Sequence, residues 1–124
     1  MSTLRLTTIS NQTGSSSVPS ETVINGSAKA WVNFNGTGTV AIRASFNVSS
    51  ITDNGTGQYT VNLTTAMPDA NYAVGACSYV TTSTSQTGPW WNGNNNTVSS
   101  FQIINYSTSG TYYDEAFMSA YIFR

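Results

Sequence analysis

Between Ala28 and Phe46 the chain reads Ala28-Lys29-Ala30-Trp31-Val32-Asn33-Phe34-Asn35-Gly36-Thr37-Gly38-Thr39-Val40-Ala41-Ile42-Arg43-Ala44-Ser45-Phe46. Apolar and polar residues alternate on both sides of an Asn-Gly pair. Successive side chains of a strand point to opposite faces, and Asn and Gly tolerate the positive φ of a two-residue hairpin turn. The stretch therefore predicts a hairpin turning at Asn35-Gly36. On its first strand Ala30, Val32 and Phe34 share a buried face, opposite Lys29, Trp31, Asn33 and Asn35. On the returning strand Val40, Ile42, Ala44 and Phe46 are expected on one face, opposite Thr39, Ala41, Arg43 and Ser45. A slip of one residue would expose the whole apolar set. A second pair, Asn54-Gly55, precedes the alternating run Tyr59, Val61, Leu63 and predicts a second hairpin.

The remaining chain continues in strands. Tyr72, Val74, Ala76, Ser78 and Val80 share one face and Ala73, Gly75, Cys77 and Tyr79 the other; the small residues on both suggest a central strand closely covered on each side. Phe101, Ile103 and Asn105 alternate with Gln102, Ile104 and Tyr106. The last strand, from about Tyr112 to Phe123, carries Phe117, Tyr121 and Phe123 on one face and Ala116, Met118, Ala120 and Ile122 on the other. Such a strand must be covered twice, once by the domain's own core and once by a subunit interface. No stretch has a helical period. The expected fold class is all-β: a single antiparallel β-sandwich, jelly-roll-like, over residues 28–124, with an extended N-terminal arm over 1–27. The arm is Ser/Thr-rich with Leu4, Leu6 and Ile9 as its apolar points. It is either a loose terminus or an attachment strand docking on another copy or a larger assembly.

Composition narrows the function. Charged residues are 7% of the 124, against about 25% in an average soluble domain. Arg5, Lys29, Arg43 and Arg124 are dispersed, so no phosphate-neutralising surface exists and nucleic-acid binding is not expected. An aromatic content of 12% opposes disorder. Low charge also removes a device that keeps copies apart, which points to a protein partner, most simply the same chain. Cys77 is the single cysteine and there is no histidine, so Ser-His-Asp chemistry and a zinc site lack their components. The carboxylates Glu21, Asp53, Asp69, Asp114 and Glu115 fall in the arm, in turns, or side by side, whereas a glycosidase needs two across a cleft. Asp53-Asn54-Gly55 reads as an Asx-type turn rather than a calcium loop. A non-enzyme without cofactor or metal is expected. With neither a secretory pattern at the start nor an apolar run near ~20 residues, membrane insertion is not expected and synthesis in a cytoplasm is.

Residues 81–97 read as one long irregular connection, and such loops are more often functional or disordered than incidental. Within it Trp90 and Trp91, followed by Asn92, Asn94 and Asn95, could stack on and hydrogen-bond a neutral sugar or a partner. Equally, the rings could fold back as a lid over the sandwich end. Trp31 is drawn outward by Lys29 and Asn33 and inward by its bulk. A subunit seam formed with Phe117, Tyr121 and Phe123 satisfies both.

The segment 28–43, then Asn47-Val48-Ser49-Ser50-Ile51-Thr52-Asp53-Asn54-Gly55-Thr56-Gly57, then Thr65-Ala66-Met67-Pro68-Asp69-Ala70-Asn71-Tyr72, resembles a module of bacteriophage virion proteins of tail-fibre type. The start, Met1 to Ile9 followed by Asn11 to Gly14, is similar to the short segment that precedes that module. The resemblance implies a virion location, a homotrimer, and other virion proteins as partners. Two roles are compatible with it, capsid decoration or cement, and a tail-fibre-type module contacting a host-surface glycan. A stand-alone carbohydrate-binding module is the alternative.

Overall fold

The computed structural model describes residues 3–79, 87–91, 95–107 and 109–124, the segment 87–91 by its backbone. Its elements are β1 (Thr8–Ser10), β2 (Ser17–Pro19), α1 (Ser20–Gly26), β3 (Ala30–Asn35), β4 (Ala41–Phe46), β5 (Val48–Gly55), β6 (Gln58–Leu63), β7 (Ala73–Tyr79), β8 (Thr87–Trp91), β9 (Ser100–Ser107) and β10 (Phe117–Phe123). β1 and β2 form a small hairpin. The other eight strands make two four-stranded antiparallel sheets, in the orders β4-β3-β10-β7 and β5-β6-β9-β8. This is the all-β sandwich that the alternation predicts. Its first and last strands, β3 and β10, are neighbours, so the chain closes on itself.

The core follows from period-2 alternation. Ala30, Val32 and Phe34 of β3 and Met118, Ala120 and Ile122 of β10 point inward from one sheet. Tyr59, Val61 and Leu63 of β6 and Phe101 and Ile103 of β9 answer from the other. Each large side chain removed from water in this way contributes roughly 1.5–3 kcal/mol. Phe34 and Tyr59 meet edge to face across the layer, with ring centroids 5.2 Å apart.

Both hairpins form, but their turns differ from expectation. β3 and β4 are joined through residues 36–40, with Gly38 at φ +60°, rather than by a two-residue Asn35-Gly36 turn. The Asn35 amide holds that loop by donating to the Thr37 carbonyl at 2.6 Å and accepting from Thr37 Oγ1 at 2.9 Å. The second hairpin turns at Thr56-Gly57, two residues beyond Asn54-Gly55, because a bulge between Asp53 and Gly55 shifts the register.

A second bulge corrects the expected face of β4. Phe34 pairs with Ile42 and Asn33 with Ala44, so Arg43 is an extra residue and the side-chain alternation inverts across it. Phe46 consequently lies opposite Trp31, on the outer face with Ala44, and all of β4 is exposed. β7 is also not central but an edge strand. The last strand starts at Phe117, five residues later than expected, because 113–115 serves as a clamp. There Gly36 N–H donates to the Glu115 carbonyl at 2.9 Å, Tyr113 N–H to the Asn105 carbonyl at 3.1 Å, and Asn105 N–H to the Gly57 carbonyl at 2.7 Å. Asp114 Oδ1 accepts from Gly57 N–H and from the Tyr59 hydroxyl, each at 2.7 Å. Thus Asp114 and Glu115 lie outside any strand and knit both hairpin turns to the start of β10.

The first crossing between sheets, from β4 to β5, is a single residue. Asn47, at φ +55°, adopts the left-handed conformation that Asn tolerates better than most residues. Its side chain donates to the carbonyls of Lys29 and Thr65 and accepts from Thr65 N–H at 2.7 Å, tying the corner to both neighbours.

The arm forms β1, β2 and α1, in which no residue is buried. Seven residues of helix are too few to display a 3.6 period. Glu21 in the first turn complements the helix dipole, and Lys29 Nζ donates to the carbonyls of Ile24 and Ser27 at the other end.

Candidate functional site: an aromatic sheet face and an apolar arm

The two outer faces of the sandwich differ in chemistry. On the β5-β6-β9 side, hydroxyl and amide groups pair with one another. Asn62 Nδ2 donates to Ser50 Oγ at 3.0 Å and Thr52 Oγ1 at 2.9 Å, and Asn54 Nδ2 donates to Thr60 Oγ1 at 2.8 Å. The result is a solvated polar face.

The β4-β3-β10-β7 side is aromatic. The register places Phe46, Trp31, Tyr121 and Gly75 in one row across the four strands, Ala44, Asn33, Ser119 and Cys77 in the next, and Phe117 beside Tyr79. Phe46 is 55% exposed, Tyr79 68%, Phe117 48%, Tyr121 43% and Trp31 41%. Phe123 is half-buried, with its ring 5.8 Å from that of Tyr121. Gly75 is small for a reason: a Cβ there would collide with the Tyr121 ring, which lies over its backbone. Tyr79 meets Phe117 edge to face at 6.3 Å. Arg43, the bulge residue, sets its guanidinium 4.5 Å from the centre of the Phe117 ring and donates from Nη2 to the Ala116 carbonyl at 2.6 Å. Its charge is held by a ring and a backbone dipole.

Trp31, Phe117, Tyr121 and Phe123, expected as a seam, are therefore brought together on one face. Sequence reasoning missed Phe46 and Tyr79. Tyr79 could have been found from its alternation with Cys77 and Gly75, whereas Phe46 reaches the face only through the bulge.

The second exposed apolar surface is the arm. Leu4 is 81% exposed, and Leu6, Ile9, Val23 and Ile24 are exposed as well. These five residues, with Arg5, Ser20 and Glu21, line a cleft of about 480 Å³ between the chain start and α1. The expected attachment residues thus share one concave surface with two apolar residues of the helix.

The expected ligand loop is placed differently. The backbone of Trp90 and Trp91 belongs to the edge strand β8, in register with Ile104 and Ile103 of β9, and is not part of an irregular loop. Asn92 and Asn94 lie outside the described residues. Asn95 is exposed and donates through Nδ2 to Gln102 Oε1.

Asp53 and Asp69, like Asp114, act as structural acceptors. Asp53 takes Gly55 N–H at 2.9 Å in the expected Asx-type turn. Asp69 takes Asn71 N–H at 2.8 Å and pairs with Arg124, and these contacts hold its carboxyl below the usual carboxylate range. Cys77 is a free, exposed thiol. Among the described residues no three His, Cys, Asp or Glu side chains converge as metal ligands, and no helix is long and apolar enough to cross a membrane. Compared with protein-family models, curated proteins and solved structures, the chain matches none.

Proposed function

We propose that this chain is a non-enzymatic structural β-module of a bacteriophage virion, self-associating and displayed on the particle surface. The observation that carries the reading is the pair of separate apolar surfaces, the aromatic sheet face and the arm cleft, on a chain with 7% charged residues. A single-chain soluble protein rarely leaves two such surfaces uncovered. An assembled one has an occupant for each, with copies of itself against the sheet and another virion protein against the arm. The wording of residues 28–72 supplies the virion setting and the expectation of a homotrimer. Of the two roles, capsid decoration or cement is supported by the exposed apolar residues of the arm, Leu4, Leu6 and Ile9. A tail-fibre-type module would instead offer the sandwich end to a host-surface glycan.

Gold-labelled antibody on phage particles tests this reading. Label over the capsid supports decoration, with residues 1–27 as the attachment. Label at the tail supports the adhesion role. Particles that carry no label would refute a virion role.

A stand-alone carbohydrate-binding module is the second reading, favoured by one observation. Trp31 and Tyr121 stand side by side on β3 and β10, both more than 40% exposed, and neighbouring aromatic faces can stack on sugar rings. It requires a monomer whose tryptophan emission changes on titration with neutral oligosaccharides.

A further inference from the structure

We infer that the outer face of the β4-β3-β10-β7 sheet is the self-association seam, covered by a second copy of this chain, with Cys77 inside the covered area. The inference rests on the self-associating part of the proposed function and is independent of any virion location.

Three features of the face select that occupant. The first is its area. The exposed fractions of Trp31, Phe46, Tyr79, Phe117 and Tyr121 add to about two and a half whole aromatic side chains, or about 380–640 Å² at ~150–250 Å² each. A stable interface needs about 800 Å² from each partner, so these rings supply roughly half to four-fifths of one side. The exposed Ala44 and Cys77 lie on the same face and add to it.

The second is that the amide at its centre, Asn33, is already paired within the sheet. In the middle row Asn33 Nδ2 donates to Ser119 Oγ at 2.9 Å and to the Met118 carbonyl at 3.3 Å. Covering the Asn33 amide leaves neither of its N–H groups stranded, which is the usual cost of burying an amide.

The third is charge. Among the described residues of these four strands Arg43 is the one ionic group, and its guanidinium is engaged by Phe117 and the Ala116 carbonyl. A partner chosen by charge complementarity would need an acidic surface facing several cations, and this face offers one cation, already engaged by a ring and a carbonyl. A second copy presents the same apolar, ring-rich chemistry and brings almost no like charge into the contact. Aromatic anchors around a weakly polar centre are the composition of an interface core.

Cys77 lies in the row of Asn33 and Ser119, between the ring of Tyr121 and that of Tyr79. Its thiol reports whether the face is covered without any mutation of the rings. The experiment combines light-scattering mass with the rate of Cys77 labelling by a maleimide across a dilution series of the full-length protein.

The expected result is a defined multiple of 13.2 kDa, with labelling slowed about tenfold or more relative to the dilute chain, because thiol reactivity follows exposure. Tyr121→Asp and Phe117→Asp should give folded monomers with fast labelling. Gly75→Ala, which displaces the Tyr121 ring, should weaken association while keeping the β-sheet circular dichroism. Thr52→Asp on the opposite polar face should leave mass and labelling unchanged. A monomer at every concentration, or an oligomer in which Cys77 labels as fast as in Tyr121→Asp, would overturn the inference. If the aspartate variants do not fold, the wild-type mass and labelling still decide. Failure here with gold label on the particle would refute the seam and leave the virion placement standing.

Discussion

Replacing Tyr59 with Phe isolates one hydroxyl at the junction of both hairpins. The ring is fully buried and packs edge to face on Phe34 at 5.2 Å, and phenylalanine keeps that packing. What is lost is a proton within reach of Asp114 Oδ1 at 2.7 Å and of the Gly36 carbonyl at 2.9 Å. The hydroxyl has one proton, and the shorter contact to an ionised acceptor is the stronger. Hydrogen bonds to charged groups contribute about 1.5–3 kcal/mol. With about 2.1 cal/mol/K of unfolding entropy per residue, a 124-residue chain loses about 4 °C of Tm per kcal/mol. Tyr59→Phe should therefore lower Tm by about 6–12 °C in a calorimetric scan near neutral pH.

The same residue has a pH signature. Burial first, then the hydrogen bond to Asp114 and the charges of Asp114, Asp53 and Glu115, push the Tyr59 phenol far above its ordinary 10.0. In the unfolded chain it ionises near 10 while in the folded chain it stays protonated. Above that pH the unfolded state binds fewer protons than the native state, so stability is complete below pH 10 and falls as pH rises further, by up to about 1.4 kcal/mol per pH unit. Tyr59→Phe removes this slope, leaving the part due to Tyr72, whose phenol burial also raises. A loss below about 0.5 kcal/mol at neutral pH, together with an unchanged alkaline slope, would refute the account of the clamp.

Other perturbations separate local strain from tertiary contact. Gly57→Ala combines a φ of +65° with a Cβ driven against the Asn105 carbonyl and to 2.9 Å from Tyr113 N. Gly38→Ala has the same sign of φ, +60°, but open space. In urea titrations Gly38→Ala should cost about 1–2 kcal/mol and Gly57→Ala clearly more; equal costs would show that the clamp yields freely. Arg124→Ala removes the partner of Asp69, whose lowered carboxyl contributes stability that is present above the unfolded carboxylate pKa and lost as pH falls through the folded one. Its small effect on Tm should be seen at pH 7 and vanish in acid, and persistence in acid would assign it to packing. Deleting residues 1–27, whose elements bury no residue, should leave the urea midpoint of the sandwich unchanged and, under the proposed decoration role, abolish particle attachment. A collapse of stability would make the arm part of the core.

What the amino-acid sequence determined by itself was the class of fold and much of its inside. Alternation along 30–35, 58–63, 100–107 and 117–123 assigns inward residues without knowledge of neighbouring strands, because a strand's two faces are set by its own backbone. β10, apolar on both sides, also announced an outer surface through Phe117, Tyr121 and Phe123. The tertiary structure decided everything that depends on pairing. The bulge at Arg43 is invisible in a string that alternates without a break, yet it turns Phe46 outward beside Trp31. β7 is an edge strand, and its Gly75 answers to a ring on β10, 46 residues away in the chain. The Asn-Gly pairs mark both hairpins but not their turns, which Tyr59, Gly57 and 113–115 fix from a distance. Local pattern carries which side of a strand is apolar. Which strand it meets, and what that side then faces, is set by register, and register is a property of two strands together.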